Sequence, residues 1–296
     1  MLRFLPGPLV GAIALLLIIL NTLVWCLPLY LFAIIRWLAP ASGKRLFTDV
    51  MSSIATAWIT CNNMTIDLTQ DLEIDVEGLE GLARRNWYLV TCNHQSWADI
   101  LILQRVFVHH IPMLKFFIKQ ELIWVPIIGI AWWALDFPFM KRYSTRQLVR
   151  RPDLKQKDLE STRAACELFK ASPVSILNFL EGTRVTPAKQ EANKSPFKHL
   201  LSPKGGGAAL VLSSMEDKIS KLVDVTIVYP QGVEGFWGFL CGRVAQVNFH
   251  IDKIDIPEEL YRGNYTEDPQ FKRQFQSWIR QVWQEKDRKI DRILQA

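Results

Sequence analysis

Hydrophobic residues are most concentrated near the amino-terminal end of the chain. From Leu9 to Ile35, 27 consecutive residues carry no charge, and about 20 apolar residues in a helix are enough to cross the hydrocarbon core of a bilayer. Residues 44–65 follow with apolar side chains at helical spacing, as at Leu46, Val50 and Ile54. The pattern predicts a helical membrane anchor over residues 1–65, with an amphipathic helix after the apolar one.

Beyond residue 65, apolar strands alternate with segments of helical periodicity. The predicted strands are Trp87–Cys92, Val174–Leu180, Val223–Val228 and Val244–Ile251. The predicted helices cover Ile100–Val108, residues 154–171, Ala208–Ser213 and a last segment opened by Asp268-Pro269. Alternation of this kind is typical of α/β domains. We therefore predict one α/β domain over residues 66–296, with a largely parallel central sheet flanked by helices.

One further apolar run, Ile123–Leu135, is too short to span a bilayer. It contains three tryptophans, a residue type favoured at membrane interfaces. Two interpretations stay open: a core helix, or a surface that dips into the lipid interface.

The orientation of the anchor is indicated by its flanking charges. Arg36, Lys44 and Arg45 follow the apolar run, which places the rest of the chain in the cytoplasm by the positive-inside tendency. The run is longer than the apolar region of a signal peptide, about 7–15 residues, so a retained anchor is expected. Pro28 either kinks one spanning helix or marks the bend of a hairpin that enters one leaflet and returns.

Composition narrows the class of protein. Charged residues make up 22% of the chain and hydrophobic ones 49%, which argues against disorder. The formal net charge of +6 favours anionic partners, but no motif that reads nucleic acid accompanies it. The five cysteines are scattered without CxxC spacing, so neither a disulfide framework nor a zinc site is expected.

Candidate chemistry begins where the strand Trp87–Cys92 ends. His94 is followed five positions later by Asp99. A histidine can take and return a proton near neutral pH, and a carboxylate on its far ring nitrogen would fix the tautomer. An alternative exists for Asp99, because Ser96-Trp97-Ala98-Asp99 also matches a helix capping box with Ser96 as N-cap. The two interpretations compete for one carboxylate, and the second leaves His94 unexplained.

Three other segments carry residues that suit an anionic ligand. Glu181-Gly182-Thr183-Arg184 leaves the end of a predicted strand, where ligands gather in α/β sheets; an ordinary surface turn with an ion pair is the alternative. Lys204 precedes a glycine-led helix start that could bind an anion or form a flexible loop. Residues 141–157 hold seven basic side chains and one acidic one, suited either to a solvated face or to anionic headgroups and phosphorylated substrates.

Together these segments resemble the glycerophospholipid acyltransferase family, whose best-known members are the 1-acylglycerol-3-phosphate acyltransferases. The family's first block, Asn-His-x-x-x-x-Asp, is matched by Asn93, His94 and Asp99. Its third block, Phe-Pro-Glu-Gly-Thr-Arg, is matched by Phe179 and by residues 181–184. The residues in both blocks are similar to those of the branch that includes lysocardiolipin and lysophosphatidylglycerol acyltransferases.

The other two blocks of the family are matched more loosely. The second resembles Phe139-Met140-Lys141-Arg142, and the fourth falls at Val225–Pro230 with only Pro230 retained. Leu180 stands where the family has proline, and Asp136 where many members have glycine. The resemblance covers roughly residues 85–232.

The resemblance implies a catalytic pair and a set of substrate contacts. His94 would deprotonate the free hydroxyl of a lysophospholipid, which then attacks a fatty acyl thioester on coenzyme A or acyl carrier protein, while Asp99 orients His94. Substrate-binding residues would be Asn93, Lys141, Arg142, Glu181, Gly182, Thr183, Arg184 and Lys204. No metal or redox cofactor is called for.

The leading hypothesis is acylation of the sn-2 hydroxyl of 1-acylglycerol-3-phosphate to phosphatidic acid. Its alternatives are another acceptor, lysophosphatidylglycerol or lysocardiolipin, and a membrane lipid-binding protein without activity. The expected partners are both substrates, membrane lipids and acyl carrier protein, with no nucleic acid. The expected location is a bacterial inner membrane, with the catalytic domain on the cytoplasmic side.

Overall fold

The computed structural model describes residues 2, 4–141, 151, 153–215 and 218–295, apart from the side chains of residues 153–158 and 220. Contacts group the chain into two compact units. The first joins Met1–Leu72, Lys115–Ser161 and Trp237–Arg243, and the second joins Glu73–Leu114, Thr162–Phe236 and Val244–Ala296. This grouping rests on contacts alone, so separate domains at 1–65 and 66–296 stay a prediction.

The first unit is built on a hairpin of two long helices, α1 (Gly7–Leu38) and α2 (Ala41–Thr69). The helices run antiparallel along their whole length. The N–H of Leu2 lies 3.3 Å from the carbonyl of Leu68 at one end, and the Asn21 amide donates to Asn62 Oδ1 at 2.7 Å in the middle. Among the described helices, α1 alone is long and apolar enough to cross a membrane.

The bend of the hairpin lies elsewhere than the sequence suggested. Helix α1 continues through Pro28, and the chain reverses at Ala39 and Pro40, which are both extended (ψ 146° and 158°). A proline disfavours helical geometry in the residue before it, which is why Ala39 ends the helix. The interpretation of Pro28 as the bend is corrected accordingly.

A second part of the first unit packs on the carboxyl-terminal end of α1. It contains the parallel two-stranded pair β4 (Ile118–Lys119) and β5 (Phe139–Met140), a 3₁₀ turn at Gln120–Trp124 and the short helix α4 (Ile128–Ala134). The Arg36 guanidinium contacts both carboxylate oxygens of Asp136, at 2.7 and 3.0 Å. Asp136 has φ +57°, a conformation that glycine adopts without strain. Its carboxylate holds Arg36, which a glycine at this position could not do.

The tryptophan-rich run shows features of both predicted interpretations. Ala131 and Ala134 on α4 are fully buried, as in a core helix. Trp124, Ile130 and Trp133 lie on the outside, with exposed fractions of 84%, 52% and 58%. The run therefore packs inward through small residues and presents large apolar ones outward.

The second unit contains a six-stranded sheet in the order β1-β8-β7-β2-β6-β3. Its strands are β1 (Glu73–Glu77), β2 (Trp87–Cys92), β3 (Leu114–Phe116), β6 (Ser175–Asn178), β7 (Ile219–Val228) and β8 (Gln246–Asp255). Strands β6, β2 and β7 are parallel neighbours, β8 is antiparallel to β7, and β1 is parallel to β8. The predicted α/β class, with a mostly parallel sheet, is confirmed.

Further helices lie between and after these strands along the chain, and those predicted at residues 100–108, 154–171, 208–213 and after residue 268 are confirmed. They are α3 (Ala98–Phe107), α5 (Asp153–Lys170), α6 (Pro187–Ala192), α7 (Gly206–Ser214), α8 (Gly235–Leu240) and α9 (Pro269–Gln295). Helix α9 begins where Asp268 Oδ1 accepts the N–H groups of Gln270 and Phe271, at 2.8 and 3.1 Å. Its buried stripe includes Phe275 and Trp283, as its periodicity predicted.

Candidate active site

The candidate site lies at the carboxyl ends of three neighbouring parallel strands. His94 comes two residues after β2, Glu181 three residues after β6, and Tyr229 directly after β7. Because parallel strands end at the same edge of a sheet, these side chains meet although they are far apart in sequence. The expected position of His94 and Glu181 at strand ends is confirmed.

The predicted pair is formed as the spacing suggested. Nδ1 of His94 lies 2.8 Å from Oδ2 of Asp99. The His94 side chain is 13% exposed, whereas Asp99 is inaccessible. The Phe179 ring stacks on the imidazole with centroids 4.1 Å apart and holds it from one side. This geometry directs Nε2, the other ring nitrogen, away from Asp99 and leaves it to act on a substrate.

Asp99 also fulfils its alternative role at the start of α3. Oδ2 accepts the N–H groups of Gln95 and Ser96, at 2.7 and 3.0 Å, in addition to the His94 ring. Ser96 Oγ accepts the N–H of Ala98 at 3.2 Å, but the N-cap position of α3 is occupied by Trp97, one residue later than the Ser96 that the sequence suggested. The two interpretations of Asp99 therefore hold together, because one oxygen serves the turn and the imidazole.

Asn93 is fully buried, and its side chain bonds to the backbone of Ile227 on β7 and to the neighbouring Cys92 thiol. Its side-chain oxygen accepts the N–H of Ile227 at 2.9 Å, and its NH₂ donates to the Ile227 carbonyl at 2.8 Å. Both polar groups of the amide face backbone and not solvent. The structure thus gives Asn93 a positioning role, fastening the end of β2 to β7, in place of the predicted substrate contact.

Glu181 is 1% exposed, and both of its oxygens accept backbone N–H groups. Oε1 lies 2.9 Å from the nitrogen of His94, and Oε2 lies 2.8 Å from that of Leu201. Burial raises the pKa of Glu181 to about 7, against the lowering effect of these two bonds. Glu181 therefore positions the His94 backbone, where the sequence had suggested a substrate ligand.

The rest of the Glu181–Arg184 segment forms an exposed loop beside His94. Gly182 has φ +69°, which side chains rarely adopt, and a Cβ built there would lie 3.3 Å from Lys204 Nζ. The Arg184 guanidinium lies 5.6 Å from the ring centroid of Trp97. Arg184 and Lys204 are both exposed, and the N–H of Val185 ties this loop to the His94 carbonyl at 2.8 Å. Contact of either cation with a substrate stays a prediction.

Lys189, a residue that the sequence did not single out, holds this loop. Its Nζ donates to Thr183 Oγ1 at 2.7 Å and to the Arg184 carbonyl at 3.0 Å. The Thr183 hydroxyl is therefore engaged within the protein. No sequence signal identified Lys189, because it lies on the short helix α6 outside every matched block.

The second block of the resemblance lies outside this unit. Lys141 is exposed and follows β5 in the first unit, and its contact with substrate stays a prediction. Arg142, with most of the basic run, lies outside the described residues.

Two buried polar groups beneath the pair were also missed by the sequence analysis. The Tyr229 hydroxyl donates to Asp99 Oδ1 at 2.6 Å. Farther down, Lys286 of α9 forms a buried ion pair with Asp224 at 3.0 Å and also donates to the Val225 carbonyl. Burial raises the pKa of Asp224, and the Lys286 ammonium opposes that shift. The sequence offers one signal for a buried Lys286: it lies four positions after Val282 and three after Trp283, on the same apolar helix face.

Comparisons with known proteins are consistent with this site. The Acyltransferase family model matches residues 73–230, which is over half of the chain and includes His94, Asp99 and residues 181–184. The chain is 22% identical over 269 residues to lysocardiolipin acyltransferase 1 of Danio rerio, covering 86% of this chain and 64% of that protein. It is 25% identical over 195 residues to 1-acyl-sn-glycerol-3-phosphate acyltransferase epsilon of Mus musculus, covering 56% and 50%. The chain thus spans between half and two thirds of these relatives.

A solved structure shares the fold. The 1-acyl-sn-glycerophosphate acyltransferase PlsC from Thermotoga maritima superposes with a TM-score of 0.51 at 15% sequence identity, covering 93% of this chain and 97% of that one. At this identity the likeness establishes a common fold.

Proposed function

The chain belongs to the acyltransferase family, and we propose that it transfers a fatty acyl group to the sn-2 hydroxyl of 1-acylglycerol-3-phosphate, giving phosphatidic acid. The observation that carries this proposal is the His94–Asp99 pair at 2.8 Å, set beside the accessible cations Arg184 and Lys204. A base next to a phosphate-binding surface suits a substrate that carries a hydroxyl and a phosphate.

The reaction needs only one proton to move and return. Nε2 of His94 takes the proton of the acceptor hydroxyl while its oxygen attacks the thioester carbonyl carbon. The tetrahedral intermediate collapses with cleavage of the carbon–sulfur bond, and the leaving thiolate takes the proton back from His94. Asp99 stabilises the transient imidazolium through Nδ1, and three further hydrogen bonds hold its carboxyl group in place. The donor is an acyl thioester of coenzyme A or of acyl carrier protein.

A second acceptor is supported by the relatives. Lysocardiolipin acyltransferase 1 aligns over more of this chain than does the mouse 1-acylglycerol-3-phosphate enzyme. The same base and cations would serve lysophosphatidylglycerol or lysocardiolipin, which carry a phosphodiester beside a free hydroxyl. The reaction class stays the same.

The acceptor is identified by direct assay. Purified protein is incubated with labelled acyl-CoA and a panel containing lysophosphatidic acid, lysophosphatidylglycerol and lysocardiolipin. The proposal predicts the highest kcat/KM with lysophosphatidic acid. Transfer to the other two alone would favour the second acceptor class, and lipid binding without transfer to any acceptor would contradict an enzymatic role.

We further propose that the α1–α2 hairpin lies in one leaflet of a bacterial inner membrane, on the cytoplasmic side. A 32-residue helix is about 48 Å long, more than the roughly 30 Å hydrocarbon core. Charged residues lie at both ends of the hairpin. At one end Arg36 of α1 pairs with Asp136, and at the other Asp67 of α2 precedes Leu68, whose carbonyl faces the N–H of Leu2. A helix placed across the bilayer would carry residues 115–136 to the far side.

The outer face of α4 supports the same placement. The Tyr30 hydroxyl of α1 donates to the Ile127 carbonyl, so Trp124 and Trp133 are fixed to the same unit as the exposed apolar side chains of α1. Tryptophan is favoured at the level of lipid headgroups. These rings would set the depth of the unit in the interface.

Labelling from one side of the membrane tests this topology. Cysteines are introduced separately at Ser42, in the first turn of α2 next to the chain reversal, and at Glu80, beyond the hairpin. A membrane-impermeant maleimide is then added to inverted inner-membrane vesicles. The proposal predicts that both are labelled from the cytoplasmic face above the wild-type background. Labelling of Ser42→Cys from the opposite face only would mean that the hairpin crosses the bilayer.

A further inference from the structure

Tyr229 lies on the side of Asp99 that faces away from the imidazole. Its hydroxyl donates to Oδ1 at 2.6 Å, while Oδ2 accepts from His94, Gln95 and Ser96. The ring is 3% exposed, and it follows the last residue of β7, the strand that pairs in parallel with β2. A rigid strand end thus carries the donor.

We propose that Tyr229 is a positioning residue for the catalytic pair, which sets the rotation of the Asp99 carboxylate and shares its charge. A carboxylate can turn about its Cβ–Cγ bond, and the backbone donors of Gln95 and Ser96 both bind the same oxygen as His94. Tyr229 is the donor that engages the other oxygen, so it opposes this rotation. It also draws negative charge toward Oδ1 and away from the imidazole.

The surroundings keep the hydroxyl protonated for this role. Burial raises the pKa of Tyr229 well above its usual value, and the adjacent Asp99 charge raises it further. Tyr229 is therefore a donor throughout the range in which His94 works. The other titratable groups whose charges reach this cluster are Cys92 on β2, Glu181 after β6, Asp224 on β7 and Lys286 on α9.

The substitution Tyr229→Phe removes the hydroxyl and keeps the ring. Its matched control is Tyr88→Phe, since Tyr88 is also buried and its hydroxyl accepts from the N–H of Ala83 at 3.0 Å, at the opposite end of β2. Tyr229→Phe loses one buried bond, to Asp99, whereas Tyr88→Phe loses two partly buried bonds, from the N–H of Ala83 and the side-chain amide of Asn86, and none to Asp99. We expect similar small losses of thermal stability in the two variants.

Two measurements distinguish positioning from general stability. In ¹⁵N NMR, with the His94 signal assigned through His94→Ala, the imidazole should titrate at higher pH in Tyr229→Phe than in wild type and be unchanged in Tyr88→Phe. The reason is that Asp99 directs more charge to the ring once the phenol is removed. This measurement does not depend on the proposed function.

The kinetic measurement rests on the proposed acyl transfer. Tyr229→Phe should lower kcat about tenfold with KM for the acceptor unchanged, and move the acid limb of the pH profile upward. In an Asp99→Asn background the same substitution should change kcat less than about twofold. An unshifted His94 titration, or an equal effect in Tyr88→Phe, would overturn the role of Tyr229. Absence of transfer to every acceptor by the wild-type protein would instead contradict the proposed function and leave the NMR result standing.

Discussion

Oε1 of Glu181 accepts the backbone N–H of His94 at 2.9 Å, although the two residues are 87 positions apart. The second oxygen binds the N–H of Leu201, whose carbonyl accepts the indole N–H of Trp283 at 3.0 Å. A chain of hydrogen bonds therefore runs from the last helix to the backbone of the candidate base. Glu181 contributes to the site by fixing where the imidazole begins.

The buried position of Glu181 predicts a pH-dependent stability. Its pKa is raised from 4.5 to about 7, so between these values the unfolded chain releases a proton that the folded protein keeps. The free energy of unfolding therefore falls by about 3 kcal/mol, through this group alone, as pH rises through this window. Above the window it levels off. Glu181→Gln should lack this component. The difference in unfolding free energy between the two proteins, followed from pH 4.5 to about 8, should shift by that amount in favour of glutamine.

The control is Glu191→Gln, at an exposed position on α6. It keeps Glu181 and should therefore keep the fall in stability between pH 4.5 and about 7. A constant difference between wild type and Glu181→Gln would mean that Glu181 titrates at its ordinary pKa.

The two bonds between Asn93 and Ile227 predict a loss of stability without a loss of substrate affinity. Asn93→Leu leaves the buried N–H of Ile227 without its acceptor, at a cost of about 2 kcal/mol. We expect a lower kcat from the displaced His94 and an unchanged KM. Urea unfolding and steady-state kinetics give both quantities. The exposed variant Asn193→Ala loses only an exposed bond to the Lys189 carbonyl and should cost no more than about 1 kcal/mol. A raised KM with unchanged stability in Asn93→Leu would restore the substrate contact.

The stacking of Arg184 on Trp97 predicts a specific effect on the phosphorylated acceptor. Trp97 is 50% exposed, and the guanidinium lies 5.6 Å from its ring centroid. A cation–π contact at such a site contributes about 0.5–1 kcal/mol, so Trp97→Ala should raise the acceptor KM roughly two- to fivefold. Trp97→Phe keeps a ring and should lie between wild type and alanine. Equal KM values in all three proteins would remove the stack from substrate binding.

The parts of the fold that the sequence predicted are those with a local signal. Strand β2 has the predicted bounds, because five of its six residues are buried and the apolar run is continuous. Strand β1 was missed: it lies at the edge of the sheet, and Glu73, Asp75 and Glu77 on its exposed side remove the apolar pattern. Its partner strand β8 lies far along the chain: Glu73 pairs with Gln246, 173 positions later.

The candidate site divides along the same line. His94 and Asp99 could be paired from a spacing of five residues, and the capping motif was equally local. The partners of Asn93 and Glu181 could not be read, because Ile227 lies 134 positions away from Asn93 and Leu201 lies 20 positions from Glu181. The sequence analysis assigned Asn93 and Glu181 to substrate binding because they belong to matched motifs. In the structure both side chains are buried and bond to backbone groups instead. The role of Tyr229 could not be predicted for the same reason, because its contact with Asp99 spans 130 positions.

The central claim is that His94 is the base that activates the acceptor hydroxyl. The most direct measurement is the rate of labelled acyl transfer from acyl-CoA by His94→Ala, with His110→Ala as an exposed-histidine control and thermal unfolding to confirm that both variants are folded. We predict a loss of about 10³-fold in kcat for His94→Ala and wild-type activity for His110→Ala. A folded His94→Ala protein that keeps more than about a tenth of the wild-type rate would contradict the account.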